Sequence, residues 1–203
     1  MVGREEVAPA GSPIDGSAPG GGLGYAVDLS ADGNVLALAE RNTGLCHVYE
    51  WDPASESRFL RGAVDANAAS GEEEHVDGAA SGAAVIDAVV LSSDGTVLAL
   101  GLGSLDEARV FEWDGASYVQ RHASLVGSNS GEDFGRAIAL SEDGSIIIVG
   151  ARMHDSERGV VRVFSLAGSL EVREMCTRFV KSALSSRPRH NFSNCQSLTS
   201  CTF

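Results

Sequence analysis

One five-residue pattern, Leu-Ser-x-Asp-Gly, occurs three times in this chain and constrains the fold more than any other feature. The copies are Leu29-Ser30-Ala31-Asp32-Gly33, Leu91-Ser92-Ser93-Asp94-Gly95 and Leu140-Ser141-Glu142-Asp143-Gly144. A short apolar stretch precedes each (Tyr25–Val27, Ala88–Val90, Ala137–Ala139) and a longer one follows (Val35–Ala39, Val97–Gly101, Ile146–Gly150). Two β-rich runs split by Asp-Gly form a hairpin. Glycine supplies the positive φ of the turn, and Ser and Asp side chains bond nearby backbone amides.

A third strand follows in register: His47–Trp51, Arg109–Trp113 and Arg162–Leu166. From the motif Asp to the central Val of that strand is 16 residues in the first two copies and 20 in the third, so the third carries four extra residues around Met153–Arg158. A fourth strand is predicted at Arg58–Arg61, Tyr118–Arg121 and, less regularly, Leu170–Arg173. Four short antiparallel strands, repeated, are how a propeller blade is built. The fold expected is therefore all-β: a partial β-propeller of about three four-stranded antiparallel blades, with a disordered N-terminus and a disordered C-terminal tail. The boundaries expected are 1–13 for that N-terminus, 14–61, 62–121 and 122–174 for the blades, and 175–203 for an unrelated tail. The motifs stand 62 and then 49 residues apart, and the excess falls on Ser70–Gly78, read as a solvated loop insertion.

Composition supports this reading. Hydrophobic residues make up 43% of the chain, charged residues 21%, and 24 residues are Gly, a mixture that suits short strands and tight turns. The formal net charge of −13 is uneven: all 28 acids precede residue 177, while the segment after it holds Arg178, Lys181, Arg187 and Arg189. An acidic body repels nucleic acid and anionic membranes, so neither is expected as a partner. Cys46, Cys176, Cys195 and Cys201 lack the spacing of a disulfide framework or a zinc site. Met1–Gly24 has no apolar run of the secretory kind, no stretch reaches membrane-span length, and the compartment stays unassigned.

The third copy runs Asp133-Phe134-Gly135-Arg136-Ala137-Ile138-Ala139-Leu140-Ser141-x-Asp143-Gly144, then Val149-Gly150-Ala151, then Gly159–Phe164. It resembles the FG-GAP repeat, which forms the blades of integrin-α-like N-terminal propellers. The first copy has Leu23-Gly24 in place of Phe-Gly; the second has Val85-Ile86 and lacks the Gly. Closed propellers have roughly four to eight blades, so three leave open β-edges that further blades or another chain would cover. The expectation is an incomplete piece of a longer protein, its acid-free tail the product of a shifted reading frame or retained intron.

The resemblance raises calcium, because some FG-GAP blades carry an Asp-x-Asp-x-Asp-Gly-type loop. Calcium needs six or more oxygens, whereas each hairpin offers one recurring Asp (Asp32, Asp94, Asp143), with Asp28 and Glu142 near but not repeated. A turn role is expected, with calcium as the alternative. Glu72, Glu73, Glu74, His75 and Asp77 have metal-ligand residue types but the character of a solvated charge run. Asp106, Glu107, His154 and Asp155 lie in the loops joining second and third strands and are candidates for a binding rim. Trp51 and Trp113 occupy equivalent positions and are expected to pack between blades. The five histidines form no His-x-x-x-His pair, and no nucleophile elbow or phosphate loop is present. No catalytic, cofactor or metal residue is assigned. The function expected is that of a non-catalytic β-propeller module recognising a protein or glycan. The alternatives are an integrin-like calcium-dependent adhesion fragment and a piece of a propeller enzyme whose active site lies on other blades.

Overall fold

The computed structural model describes residues 12–68, 84–166 and 173–175. The readings placed on 1–11, on the acidic run Glu72–Asp77, on Leu170–Val172, on Cys176, Cys195, Cys201 and His190, and on the tail beyond Met175 lie outside those residues. Within them the chain forms three antiparallel sheets, which is the partial propeller the repeat implied.

The first sheet contains β1 (Leu23–Leu29), β2 (Val35–Glu40), β3 (Leu45–Asp52) and β4 (Ser57–Asp65), in that order. The second contains β5 (Ala88–Leu91), β6 (Val97–Leu102), β7 (Glu107–Trp113) and β8 (Tyr118–Gln120), with β9 (Leu125–Val126) also on β7. The third contains β10 (Phe134–Leu140), β11 (Ile146–Ala151), β12 (Val160–Ser165) and β13 (Arg173–Met175). Every consecutive pair is antiparallel, so the Asp-Gly turns lie at one end of the blades. The loops from second to third strand and the blade-to-blade connections lie at the other end, called the rim below.

Two of the first strands run seven residues and one runs four, and a glycine decides which. In β1 and β10 the register slips between Leu23 and Ala26 and between Phe134 and Ala137. Gly24 and Gly135 sit in those bulges with φ of 84° and 95°. Ile86 holds the equivalent place in the second blade, where a β-branched residue does not take positive φ, and β5 starts at Ala88.

The core lies between blades. Leu98, Leu100, Ile147 and Val149 are 0% exposed, each on the face of a second strand that meets the preceding blade. Burial of one such side chain is worth about 1.5–3 kcal/mol. Trp113 confirms its expected place: its ring lies 5.1 Å from Tyr118 within its own blade and 4.4 Å from the Arg61 guanidinium of the preceding one. Trp51 meets Arg58 within its own sheet. Cys46 is buried among these side chains, and burial pushes its thiol pKa up to about 12, which makes it an inert apolar filler. Among the described residues no helix is long and apolar enough to cross a membrane.

Candidate functional site

At the turn end the recurring aspartates bond within their own loops. Ser30, Ser92 and Ser141 each donate to the motif Asp at 2.6 Å. Each serine Oγ in turn accepts from the backbone N–H of Val35, Val97 or Ile146 at 2.9 Å. The Asp carboxylates also accept from the amides of Asn34, Thr96 and Ser145. The hydrogen bond from Ser141, reinforced by Ser145, holds the Asp143 carboxyl down at about 2. Successive turns are stitched together: Ala31 N–H donates to the Ser93 carbonyl at 2.9 Å, and Ser93 N–H to the Glu142 carbonyl at 2.8 Å. Asp28, near the first turn, accepts from the Leu91 amide at 2.7 Å. These carboxylates serve turns and strand edges, and among the described residues no three His, Cys, Asp or Glu side chains converge as metal ligands.

The rim is where different loops converge. Asp106 is 9% exposed and in the left-handed region (φ 56°). Its carboxylate accepts from the amides of Gly131 (2.5 Å) and Phe134 (3.2 Å), and its carbonyl from Gly127 at 2.9 Å. This folds the 127–134 connection over the second blade and delivers Glu132 inward. Glu132 Oε2 meets His154 Nδ1 at 2.7 Å, Oε1 accepts from the Ser128 amide at 2.5 Å, and the Arg162 guanidinium lies 3.8 Å away. Burial opposes the Glu132 charge, but the bonds from His154 and Ser128 and the charge of Arg162 outweigh it and hold this carboxyl below the usual range. With Nδ1 engaged by a carboxylate, the imidazole is oriented, and Nε2 is the nitrogen left to exchange protons. His154 opens the four-residue insertion seen in the third repeat, a single turn in which Asp155, Ser156 and Glu157 all take positive φ (50°, 58°, 66°).

Three arginines come together at a cleft that neither Glu132 nor His154 lines. This cleft of about 620 Å³ has Ala137, Gly150, Val160 and Val161 in its wall and Arg136, Arg152 and Arg158 at its margin. Arg152 pairs with Asp133 at 2.6 Å and Arg158 with Asp155 at 3.0 Å.

The first blade carries a counterpart that the sequence does not reveal. Glu40, 0% exposed, accepts from the Ser17 amide, from Ser17 Oγ at 2.6 Å and from Thr43 Oγ1 at 3.0 Å, and it faces His47 Nε2 at 3.8 Å. The Ser17 hydroxyl leads in holding its carboxyl below the usual range. A Cβ built on Gly16 would strike Glu40, as one on Gly127 would strike Glu132. One carboxylate position, above a Gly-Ser pair at a blade junction, is thus filled from the end of β2 in one blade and from the residue before Asp133-Phe134 in another.

Of the rim candidates, the structure brings Asp106 and His154 to one loop, that of 127–134. Glu107 turns aside to Arg109 at 3.0 Å, and Asp155 to Arg158. Glu132, Glu40 and Arg162 were not singled out from sequence. Arg162 had a signal, since Arg109 and Arg162 hold the same place in the third strand and both reach back to carbonyls ending the preceding blade (Ala66 and Val126).

No model of a known protein family matches the chain, and no curated protein matches it. Solved structures do. They include a candidate 6-phosphogluconolactonase from Bacteroides uniformis, 16% identical with a TM-score of 0.53, covering 82% of this chain and 46% of that one. Another, from Bacteroides fragilis, is 16% identical with a TM-score of 0.54 and covers 79% and 39%. Saccharomyces cerevisiae Sqt1 is 12% identical with a TM-score of 0.50 and covers 76% and 35%. The chain thus spans less than half the length of each, and at these identities the likeness establishes the propeller fold alone.

These findings overturn the FG-GAP and integrin-α-like resemblance. The residues that carried it answer to blade geometry in general: Ser-x-Asp-Gly closes a hairpin turn, and Phe-Gly makes a bulge under a neighbouring backbone. The expectations of a non-catalytic recognition module and of a calcium-dependent adhesion fragment are corrected with it, since two of the similar structures carry an enzyme's name.

Proposed function

We propose that the chain is part of a propeller hydrolase whose rim acts on an anionic cyclic ester of the sugar-phosphate lactone class. The contact that carries this reading is that of buried Glu132 with His154 at 2.7 Å, at the open end of a fold shared with two candidate 6-phosphogluconolactonases. In this reading His154, oriented by Glu132, takes a proton from water as the water oxygen attacks the lactone carbonyl. The ring C–O bond then breaks, and the proton passes to the departing alkoxide, giving the open hydroxy acid. Arg136, Arg152 and Arg158 receive the substrate's phosphate. Other blades supply the remaining wall and the groups that stabilise the oxyanion.

General-base catalysis of this kind contributes about 10²–10⁴-fold. The test is proton release from 6-phosphogluconolactone above its spontaneous hydrolysis. His154→Gln is expected to lower kcat at least ~10²-fold, and Arg136→Gln to raise KM with kcat little changed. Hydrolysis no faster than in buffer, or equal rates in wild type and His154→Gln, would overturn the assignment.

A further inference from the structure

The third blade carries two acids where the first carries two glycines. Phe134 pairs with Ala151 as Leu23 pairs with Glu40, so Asp133 stands in the place of Gly22 and Glu132 in that of Gly21. The backbone bonds agree: the Met153 amide donates to the Glu132 carbonyl at 3.1 Å, as the Asn42 amide does to the Gly21 carbonyl at 2.9 Å. Gly22 has φ of 73° and Asp133 of 55°. Glycine enters this left-handed region freely, whereas a residue with a Cβ enters it at a cost. The turn therefore does not account for an acid at 133; what its side chain touches has to.

The Asp133 carboxylate accepts from Arg152, Nε to Oδ2 at 2.6 Å. The four-residue insertion repeats the arrangement: Asp155, with φ of 50°, holds Arg158 at 3.0 Å. Both arginines stand at the margin of the 620 Å³ cleft. Arg136, the third, makes no ion pair among the described residues. The Arg152 and Arg158 side chains are 64% and 78% exposed. Exposed pairs of this kind contribute little, because water screens them and long side chains must be held still. They yield to a stronger partner. A carboxylate offers one negative charge. A phosphate ester offers nearly two, on three oxygens that fit the guanidinium fork.

We propose that Asp133 and Asp155 gate the cleft: each holds an arginine at its margin, and a phosphate-bearing ligand enters by taking the place of both carboxylates. The inference rests on the reading of Arg136, Arg152 and Arg158 as phosphate ligands given above. It adds a basis for selectivity. An anion has to outcompete two carboxylates, so a monoanionic carboxylate gains nothing by the exchange and a dianion does. It also ties the cleft to the pair that does not line it, since Asp133 adjoins Glu132 in the chain and Asp155 adjoins His154.

The test is isothermal titration of the full chain with inorganic phosphate, which needs no turnover. Asp133→Asn keeps the side-chain shape, and asparagine accepts positive φ. It should bind phosphate about 2–5-fold more tightly than wild type, the factor by which an exposed ion pair holds its arginine back. Arg152→Gln should weaken binding at least ~10-fold. In the Arg152→Gln background Asp133→Asn should bring no gain, because the arginine it frees is absent. Glu142→Gln, which removes one charge at the turn end, should leave the affinity unchanged, and acetate should bind wild type more weakly than phosphate does. The gate is overturned by any of four results: no phosphate binding to any form, equal affinity in wild type and Asp133→Asn, a gain that persists without Arg152 or is matched by Glu142→Gln, or acetate binding as tightly as phosphate. A gain in Asp133→Asn without lactone hydrolysis sinks the hydrolase reading and leaves the gate standing. Should Asp133→Asn lose its melting transition, Asp155→Asn repeats the test through Arg158.

Discussion

The two ends of the blades follow different rules. At the turn end three loops repeat one solution: a Ser that donates to Asp at 2.6 Å, an amide on the Ser hydroxyl, and a glycine. At the rim even equivalent places are filled from different positions in the repeat. The first blade carries Glu40 over Ser17, the second Asp106 under the 127–134 connection, and the third Glu132 against His154. Local turn chemistry is the same wherever a tight hairpin is needed, so it recurs. The rim only has to satisfy its backbone groups, and it does so with long-range partners that differ by blade.

If that contrast holds, substitutions at the rim, where single bulky or charged anchors tie remote segments, cost more than those in the redundant turns. Phe134→Ala should show the largest effect. The side chain is 0% exposed and edge-on to Phe164 at 6.2 Å, so urea unfolding should report a loss of about 3–5 kcal/mol. Glu132→Leu comes next, at about 2–3 kcal/mol, because the Ser128 amide, His154 and Arg162 lose a charged acceptor.

The sign of the pH dependence follows from Glu132 and Glu40, both held below the ordinary carboxylate range. Their contribution is complete above the unfolded value of about 4.3 and is lost as pH falls through their lower folded values. The melting temperature should therefore drop on acidification below that point. Glu132→Gln should flatten the drop without abolishing it, because Glu40 and Asp143 are still held below the usual range.

At the turn end, Ser92→Ala should cost about 1–2 kcal/mol, since Ser92 is 1% exposed and the Val97 amide loses its partner. Ser141→Ala, at a half-buried site, should cost less; equal costs would break the argument that burial sets the scale. The smallest effect should be a gain. Ser156→Gly relieves a positive φ of 58° in the exposed insertion and should stabilise by up to about 1 kcal/mol by thermal melting.

Of the candidate site, the sequence marked His154 and Asp106, because both lie in loops at fixed offsets from a repeated strand. It could not mark Glu132 or Glu40. Their carboxylates occupy equivalent places but come from unrelated positions in the repeat, and no linear spacing encodes that. The resemblance to FG-GAP blades failed for a related reason: the motifs it rested on are those any tight four-stranded blade selects.

By itself the sequence determined the strands, their order and the hairpins, because alternating apolar runs and Ser-x-Asp-Gly turns are governed by contacts within a few tens of residues. Only the tertiary structure decided which faces are covered, as the contrast between Val97 at 4% and Ile146 at 37% shows. It alone paired Glu132 with His154. Burial and charge pairing depend on which blade lies alongside, and the periodic pattern is the same whether or not a neighbour is there.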